Sequence, residues 1–204
     1  MDTFYTDHWQ TIEPERLDRY EQMFQFRPEL EPFVDALALT GKTSVLDFGC
    51  GPGFMAEEIA SRTTAQVFGV DLNKEFMSRA QARNTKDNLN FFHLAGDALP
   101  DEINAVDRVF IKNVLEYVPD LEGTVARLHE ILGDGGRIVV DLPPCLDHFA
   151  RRRSDDVCDE LEDHGEHHGS DDSGQRSQSV SQHEAFLGGG WSRAIGSYRL
   201  GARP

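Results

Sequence analysis

Apolar runs and helical stretches alternate through the middle of this chain, and that alternation limits the fold more than any other feature. The helical stretches cover 53–62, 74–83 and 120–132, and each lies between two apolar runs. The apolar runs are 45–48, 67–70, 89–94, 106–111 and 138–140. Strands that alternate with helices of about ten residues are typical of βαβ units and a parallel sheet. Because such crossovers are right-handed, we predict an α/β fold with helices on both faces of a doubly wound, mostly parallel sheet.

The two ends of the chain differ from this middle part. Helical spacing of apolar residues predicts one helix over 13–26 and a second over 28–39, ending at Gly41. Residues 151–183 are acidic, polar and without periodicity, which indicates a long loop or a disordered segment. Large apolar residues return in 184–204, where we expect one or two short strands that complete the sheet.

Composition limits the partners and the compartment. With 36 acidic and 20 basic residues the net charge is −16, and this field repels phosphate backbones and anionic lipid. No apolar N-terminal leader and no run of about 18 apolar residues is present, so we predict a cytoplasmic protein without nucleic-acid or membrane partners. Three scattered cysteines (Cys50, Cys145 and Cys158) do not form a disulfide framework. The scarcity of lysine fits either a salt-loving source or a GC-rich genome.

The segment VLDFGCGPG at 45–53 carries the strongest functional signal. A buried strand runs into Asp47, and Gly49, Gly51 and Gly53 follow before a helix begins. Glycines let the backbone turn sharply and let a ligand approach the main chain, while the helix start supplies free N–H groups. Asp71 ends the next strand, where a carboxylate can accept both hydroxyls of a ribose. A tight turn followed by a helix-capping Asp71 is the structural alternative, but the order of all these elements favours a nucleoside site.

The loop also discriminates between nucleotides. A dinucleotide-binding loop needs a third glycine where this chain has Phe54. Asp47 would repel a pyrophosphate, whereas it suits a ligand with an ammonium or sulfonium charge. An NAD-dependent oxidoreductase is therefore a less favoured hypothesis than a protein that binds a positively charged nucleoside.

These motifs resemble those of class I S-adenosylmethionine-dependent methyltransferases. VLDFGCGPG looks like motif I, and GVD, ending at Asp71, looks like the acidic position after it. AGDALP at 95–100, NVLEYVPD at 113–120 and LGDGGRIVVDLPP at 132–144 resemble the segments after strand three, after strand four and around strand five. The resemblance implies a Rossmann-like sheet in the order 3-2-1-4-5, an S-adenosylmethionine-binding domain over 28–150 and a helical cap over 1–27. The family then adds further helices and two strands, so the short C-terminus here predicts a shortened hairpin or an incomplete sheet.

The resemblance also implies which residues bind the cofactor. The methionine part would contact the glycine loop and Asn113, with Asp47 near its ammonium group. Asp71 would hold the ribose hydroxyls, and Leu72 would pack on the adenine, which Asp97 and Ala98 would meet. The full set is Asp47, Gly49, Gly51, Gly53, Asp71, Leu72, Asp97, Ala98 and Asn113. We expect Tyr20, Glu116 and Tyr117 on the substrate side.

The expected function is methyl transfer from S-adenosylmethionine to a small-molecule acceptor. Direct in-line transfer needs alignment and desolvation rather than a covalent residue, so no catalytic residue is assigned. Further candidates near the substrate are Tyr5, His8, Trp9 and His148. A catalytically impaired cofactor-binding module is the alternative, because the C-terminus is short. His164, Glu166, His167 and His168 read as part of a solvated loop, so no metal is predicted. The sequence leaves the oligomeric state and the acceptor atom open.

Overall fold

The computed structural model describes residues 4–96, 98–141, 180–187 and 191–199. Six α-helices are present in these ranges: α1 Phe4–Gln10, α2 Pro14–Met23, α3 Glu31–Leu37, α4 Phe54–Ser61, α5 Lys74–Arg83 and α6 Leu121–Ile131. Two short 3-10 helices span Pro28–Leu30 and Leu115–Tyr117. The strands are β1 Val45–Phe48, β2 Val67–Asp71, β3 Leu89–His93, β4 Val106–Lys112, β5 Leu132–Asp141, β6 Val180–Leu187 and β7 Trp191–Arg199. Within the described ranges no helix has the length and apolarity needed to cross a membrane.

All described strands form one sheet in the order β3-β2-β1-β4-β5-β7-β6. The first five strands are parallel, which confirms the predicted 3-2-1-4-5 order. β7 pairs antiparallel with both β5 and β6 and lies between them. The C-terminal segment therefore adds a full two-stranded hairpin to the sheet rather than leaving it incomplete. β6 begins at Val180, four residues before the expected start at 184, inside the segment assigned to a polar loop.

Alternation along β1 explains how the two faces of the sheet are filled. Val45 packs into an apolar cluster with α2, α3, α4 and α5, whereas Leu46 packs into a second cluster with α6. All four residues of β1 are buried, as expected for a central parallel strand covered on both faces. Asp47 therefore points to the same face as Val45, beneath α4, although it is a charged residue in a buried strand.

The N-terminal helices are joined to the body by arginine ion pairs. Arg79 on α5 contacts Asp18 at 2.7 Å and Glu21 at 3.3 Å, both on α2. Arg62 at the end of α4 reaches Glu31 at the start of α3 and also Glu58. Exposed pairs of this kind contribute little to the stability of a fold, so their main effect is to orient α2 and α3.

Two elements differ most from the prediction: β5 begins at Leu132 rather than at 138, and α1 was not predicted. A smaller difference lies at the end of α3. This helix ends at Leu37, and Ala38 adopts a left-handed conformation with φ 48°. Thr43 explains the early end, because its hydroxyl accepts a hydrogen bond from the Thr40 N–H at 2.8 Å and closes the turn before Gly41. The expected helix over 28–39 is also divided, since Pro28–Leu30 forms a 3-10 turn.

Candidate functional site

The glycine loop lies at the carboxyl ends of β1 and β2 and is bound to β2 by its backbone. The N–H groups of Gly49 and Cys50 both donate to the Val70 carbonyl, at 2.8 and 2.9 Å. Because β1 and β4 are parallel neighbours, the loop after β4 arrives at the same edge. The predicted cofactor residues on these loops therefore lie at one edge of the sheet. Ligands of open parallel sheets generally bind at this edge, beyond the carboxyl ends of the strands.

Two glycines of this loop are needed for different reasons. Gly49 has φ 75°, and a methyl group at its Cα would overlap the side chain of Val114. Gly51 has φ 54°, but a methyl group there would meet no atom within 4 Å. Gly49 therefore allows the loop after β4 to approach closely, whereas Gly51 leaves open space above the backbone.

Asp71 fixes the conformation of the loop. Its Oδ2 accepts a hydrogen bond from the Gly51 N–H at 2.8 Å, and its Oδ1 accepts one from the Asn73 N–H at 2.8 Å. Burial raises the pKa of Asp71, while these two hydrogen bonds and His93 oppose the increase. Each carboxylate oxygen retains a second lone pair, so Asp71 can still accept two hydroxyl groups from a ligand.

Asp47 lies beneath the loop and is almost fully buried, with 2% exposure. The Ala56 N–H donates to this carboxyl group, but Oδ2 has no hydrogen-bond partner among the described residues. Burial, and then the charge of Asp71, raise the pKa of Asp47 to about 8. An unpartnered buried carboxylate is costly to keep in a fold, so its presence indicates a missing positively charged or hydrogen-bond-donating partner.

A cavity of about 930 Å³ opens above these two acids. Ligand pockets are commonly about 300–1,000 Å³, so this cavity is large enough for a nucleoside and a second small molecule. Its nucleoside side is lined by Asp47, Gly49, Cys50, Gly51, Asp71, Leu72, Leu94, Gly96 and Leu99. Its other side is lined by Trp9, Tyr20, Phe24, Lys112, Asn113, Glu116, Tyr117, Thr124 and Arg127.

The loop after β4 forms one wall of the second side. Asn113 has φ 53°, a left-handed conformation that is unusual for a residue other than glycine, and its N–H donates to the Asp141 carbonyl at 3.3 Å. Lys112 Nζ lies 3.0 Å from Oδ2 of the buried Asp141. Glu116 has a buried Oε2 without a hydrogen-bond partner in the described part of the chain. Burial is the main cause that raises the pKa of Glu116, and Asp141 adds to it while Lys112 opposes it.

Four aromatic side chains cover the second side of the cavity: Trp9, Tyr20, Phe24 and Tyr117. We call these four residues the aromatic group. The ring centroid of Trp9 lies 5.5 Å from that of Tyr20 and 5.7 Å from that of Tyr117. The rings of Tyr20 and Phe24 stack at 5.8 Å. The group therefore joins α1 and α2 to the loop after β4, and it brings residues that are about 100 positions apart into one wall.

Most of the residues expected at the site from the sequence line this cavity. They are Asp47, Gly49, Gly51, Asp71, Leu72, Asn113, Tyr20, Glu116 and Tyr117. Gly53 does not reach the cavity wall, because it starts α4 and packs against the Phe91 ring. Ala98 is exposed and also does not line the cavity, although Leu99 does. Asp97, His148, Cys145, Cys158, His164, Glu166, His167, His168 and the side chain of Tyr5 lie outside the described part of the structure.

Sequence reasoning did not identify Asn73 or Lys112. The side chain of Asn73 caps α5 by accepting from the Phe76 N–H at 2.9 Å, and it donates to the Trp9 carbonyl at 3.0 Å. The first contact was foreseeable, because an asparagine just before a helix is a typical cap. The second contact spans 64 residues and has no local signal. Lys112 was detectable as the charged residue that ends an apolar strand.

Cys50 packs inside the loop, and its pKa is raised by burial and by the charges of Asp47 and Asp71. Its thiol is therefore protonated at neutral pH and a poor nucleophile. Among the described residues, no group of three His, Cys, Asp or Glu side chains is arranged to hold a metal ion.

The fold and the cavity together define a class of protein. A doubly wound parallel sheet carries a glycine loop and two carboxylates at the ends of adjacent strands. Phe54 stands at the place of a third glycine and packs under Arg83, so the loop does not have the form of a dinucleotide-binding loop. These features define a nucleoside-binding α/β protein of the Rossmann-like type.

Comparisons with known proteins show what the chain is similar to. Residues 46–140 match the family model described as the methyltransferase domain. The chain is 32% identical over 126 residues to the trans-aconitate 2-methyltransferase of Variovorax paradoxus, covering 61% of this chain and 47% of that protein. It is also 32% identical over 120 residues to the ubiquinone biosynthesis O-methyltransferase of Chromobacterium violaceum, covering 57% and 51%. The chain thus spans about half the length of these curated relatives.

Solved structures agree on the fold. A chain in the complex between the Haloferax volcanii Trm112 methyltransferase activator and a methyltransferase superposes with a TM-score of 0.56 at 23% identity, covering 67% of this chain and 59% of that chain. The YcgJ protein of Bacillus subtilis gives a TM-score of 0.51 at 22% identity, covering 60% and 55%. Residues 46–140 are therefore similar to the methyltransferase domain, and the solved structures show that the chain has the Rossmann-like fold of their class.

Proposed function

We propose that this chain binds S-adenosylmethionine and transfers its methyl group to a small-molecule acceptor. The observation that carries the proposal is the pairing of two carboxylates with an open backbone turn in one cavity. Asp71 has free lone pairs for ribose hydroxyls, Asp47 has an unpartnered oxygen, and Gly51 leaves open space between them. The residues therefore fit a nucleoside that carries a positive charge.

The chain's own residues would divide the binding as follows. Asp71 accepts hydrogen bonds from the ribose, and Leu72 packs on the base. Asp47 and Asn113 both line the cavity and would contact the methionine portion from its two sides, with Asp47 supplying the negative charge. Asp97 and Ala98 stay candidates for the adenine on the basis of the motif alone.

When bound, the cofactor supplies a methyl group already activated by a sulfonium. The protein then has to align the acceptor and exclude water, for which a covalent residue is unnecessary. The aromatic group and the loop after β4 enclose the second side of the cavity and are suited to both tasks. Trans-aconitate and ubiquinone precursors are suggested by the relatives' names as acceptors to test first.

Isothermal titration with S-adenosylhomocysteine tests the binding step. We expect binding in the micromolar range, and we expect Asp71→Ala to weaken it about tenfold or more, which is about 1.4 kcal/mol. Asp87→Ala is the matched control, because Asp87 is an exposed acid that does not line the cavity. Unchanged binding in Asp71→Ala would remove this residue from the site.

A turnover assay tests the chemical step. Release of S-adenosylhomocysteine is measured over a panel of small-molecule acceptors, with wild-type chain and S-adenosylmethionine. Turnover above the acceptor-free rate supports the proposal. Tight cofactor binding without turnover of any acceptor would instead favour the alternative of a binding module or partner subunit.

A further inference from the structure

Three features of the second side of the cavity restrict the acceptor. They are the unpartnered carboxylate oxygen of Glu116, the ion pair between Lys112 and Asp141, and the packing of the aromatic group. The inference drawn from them rests on the proposed function, because it concerns the molecule that would receive the methyl group.

The first feature is the unpartnered carboxylate of Glu116. Its Oε2 is buried and receives no hydrogen bond within the described residues, although the side chain lines the cavity. Leaving such an oxygen unpaired is energetically unfavourable. A ligand that presents an O–H or N–H group to this oxygen recovers that cost, whereas a ligand that presents a carboxylate increases it.

The second feature is the state of Lys112. This residue lines the cavity beside Glu116, but its ammonium group is already paired at 3.0 Å with Asp141, which is 1% exposed. Breaking this pair would leave a buried charge uncompensated. The charge of Lys112 is therefore already balanced within the protein by Asp141.

The third feature is the shape and polarity of the aromatic group. Its rings contact one another at centroid distances of 5.5–6.5 Å and present ring faces and edges to the cavity. Offset and edge-to-face packing of a planar ring against such rings stabilises its binding beyond the burial of its area. Phe24 and the neighbouring Met23 are also exposed apolar residues of α2 on this side.

We propose that the acceptor is an aromatic molecule whose nucleophile is an O–H or N–H group, and that Glu116 is the residue that binds this group. The ring of the acceptor packs against the aromatic group while the nucleophile donates its hydrogen bond to Glu116 Oε2. For a hydroxyl acceptor, a bond forms between the oxygen and the methyl carbon as the carbon–sulfur bond breaks. The electron pair of that bond remains on sulfur, and the hydroxyl proton passes to Glu116 and then to solvent.

The raised pKa of Glu116 supports this role, because a base with a pKa nearer to neutral removes a proton more effectively. The groups that face Glu116 have opposite effects on its pKa, since Asp141 on β5 raises it and Lys112 on β4 lowers it. Ionised Glu116 is the active form, so turnover should fall as the pH decreases through its pKa.

The experiment compares acceptors that share one ring and differ only in the reacting group: a phenol, an aniline and a benzoate, with an alkylammonium ion as the fourth probe. We expect kcat/KM for the phenol and the aniline to exceed that for the other two by about tenfold or more. Phenol and aniline are distinguished by Glu116→Gln, because only the hydroxyl depends on proton removal for its nucleophilicity. We expect this variant to lower kcat for the phenol about a hundredfold, with a smaller effect on the aniline.

Glu122→Gln is the matched control, since Glu122 is exposed in the first turn of α6 and does not line the cavity. Both variants should bind S-adenosylhomocysteine like the wild type, and Glu116→Gln should lose the acidic limb of the pH profile. Preference for the benzoate or the alkylammonium, or an unchanged pH profile in Glu116→Gln, overturns the acceptor assignment. So does failure of the phenol and the aniline to be methylated or to bind to the cofactor-loaded chain. A wild-type chain that does not bind S-adenosylhomocysteine overturns the proposed function instead, so the two failures are distinguishable.

Discussion

The two sides of the cavity are built by different means. On the nucleoside side, backbone groups are the main partners, because Asp71 is held by two main-chain N–H groups and the loop by the Val70 carbonyl. On the acceptor side, side chains from α1, α2 and the loop after β4 form the wall, and Glu116 has an unpartnered oxygen. A site made of backbone has little freedom to vary, whereas a site made of side chains can change its specificity by substitution. This difference between the two sides explains how one scaffold can keep its cofactor while its acceptors differ.

The prediction with the largest expected effect concerns the close packing of the glycine loop against the loop after β4. Gly49→Ala should lower the free energy of unfolding by about 2–5 kcal/mol, because the new methyl group combines a left-handed φ with overlap on Val114. Chemical denaturation measures this change. The double variant Gly49→Ala/Val114→Ala is the control, since removing the valine methyl groups should recover part of the loss. Equal stability of wild type and Gly49→Ala would contradict the close approach of the two loops.

The second prediction uses the charge of Asp47. Its pKa of about 8 means that it is mostly neutral at pH 6, while a ligand ammonium favours its charged form. Binding of S-adenosylhomocysteine should therefore release protons and tighten by about tenfold or more between pH 6.0 and 7.5. Isothermal titration in buffers of different ionisation enthalpy measures both changes.

Asp47→Asn is the control for this pH dependence. The variant should bind more weakly and with a flat profile over the same range. Because the raised pKa favours the folded state below the unfolded pKa, and this advantage is lost as the pH rises towards 8, the variant should also gain stability relative to wild type at pH 8. A pH-dependent wild type and an equally pH-dependent variant would exclude Asp47 as the cause.

The third prediction separates stability from binding within the loop. Gly51→Ala should cost only about 1–2 kcal/mol of stability, which is the price of a left-handed alanine, because its methyl group meets no atom. The same methyl group enters the space left for the ligand, so cofactor binding should weaken about tenfold. Denaturation and titration of this variant beside Gly49→Ala provide the contrast. A Gly51→Ala variant that binds normally would show that the ligand does not approach this part of the backbone.

The local structure around the glycine loop was predicted well from the sequence, because its signals are local. Strand, acid, glycines and helix follow one another within 45–61, and the predicted bounds of α5 agree with the structure. The acceptor side was only partly predictable, since its wall depends on contacts between distant segments, such as Trp9 with Tyr117. Glu116 and Tyr117 were predicted from motif position, whereas Tyr20 and Trp9 were predicted only from their place N-terminal to the domain. The start of β6 was missed because a polar strand in a low-complexity stretch has no apolar alternation.

The smallest expected effect concerns the residue that joins the two sides. Asn73 is 2% exposed, its backbone N–H donates to Asp71, and its side chain donates to the carbonyl of Trp9. Nucleoside binding at Asp71 should therefore stabilise the end of α1, and with it the ring of Trp9 in the aromatic group. Asn73→Ser retains a capping oxygen for α5 but removes the donor to Trp9, whereas Asn73→Ala removes both.

We expect Asn73→Ser to cost about 1 kcal/mol of stability and Asn73→Ala about 1 kcal/mol more. The informative measurement is Trp9 fluorescence in a Trp191→Phe background, where Trp9 is the only remaining tryptophan. Saturating S-adenosylhomocysteine should change this fluorescence in the parent and change it much less in Asn73→Ser, although both bind the ligand. An equal change in the two would mean that the sides of the cavity respond independently, and that the acceptor wall is already formed before the cofactor binds.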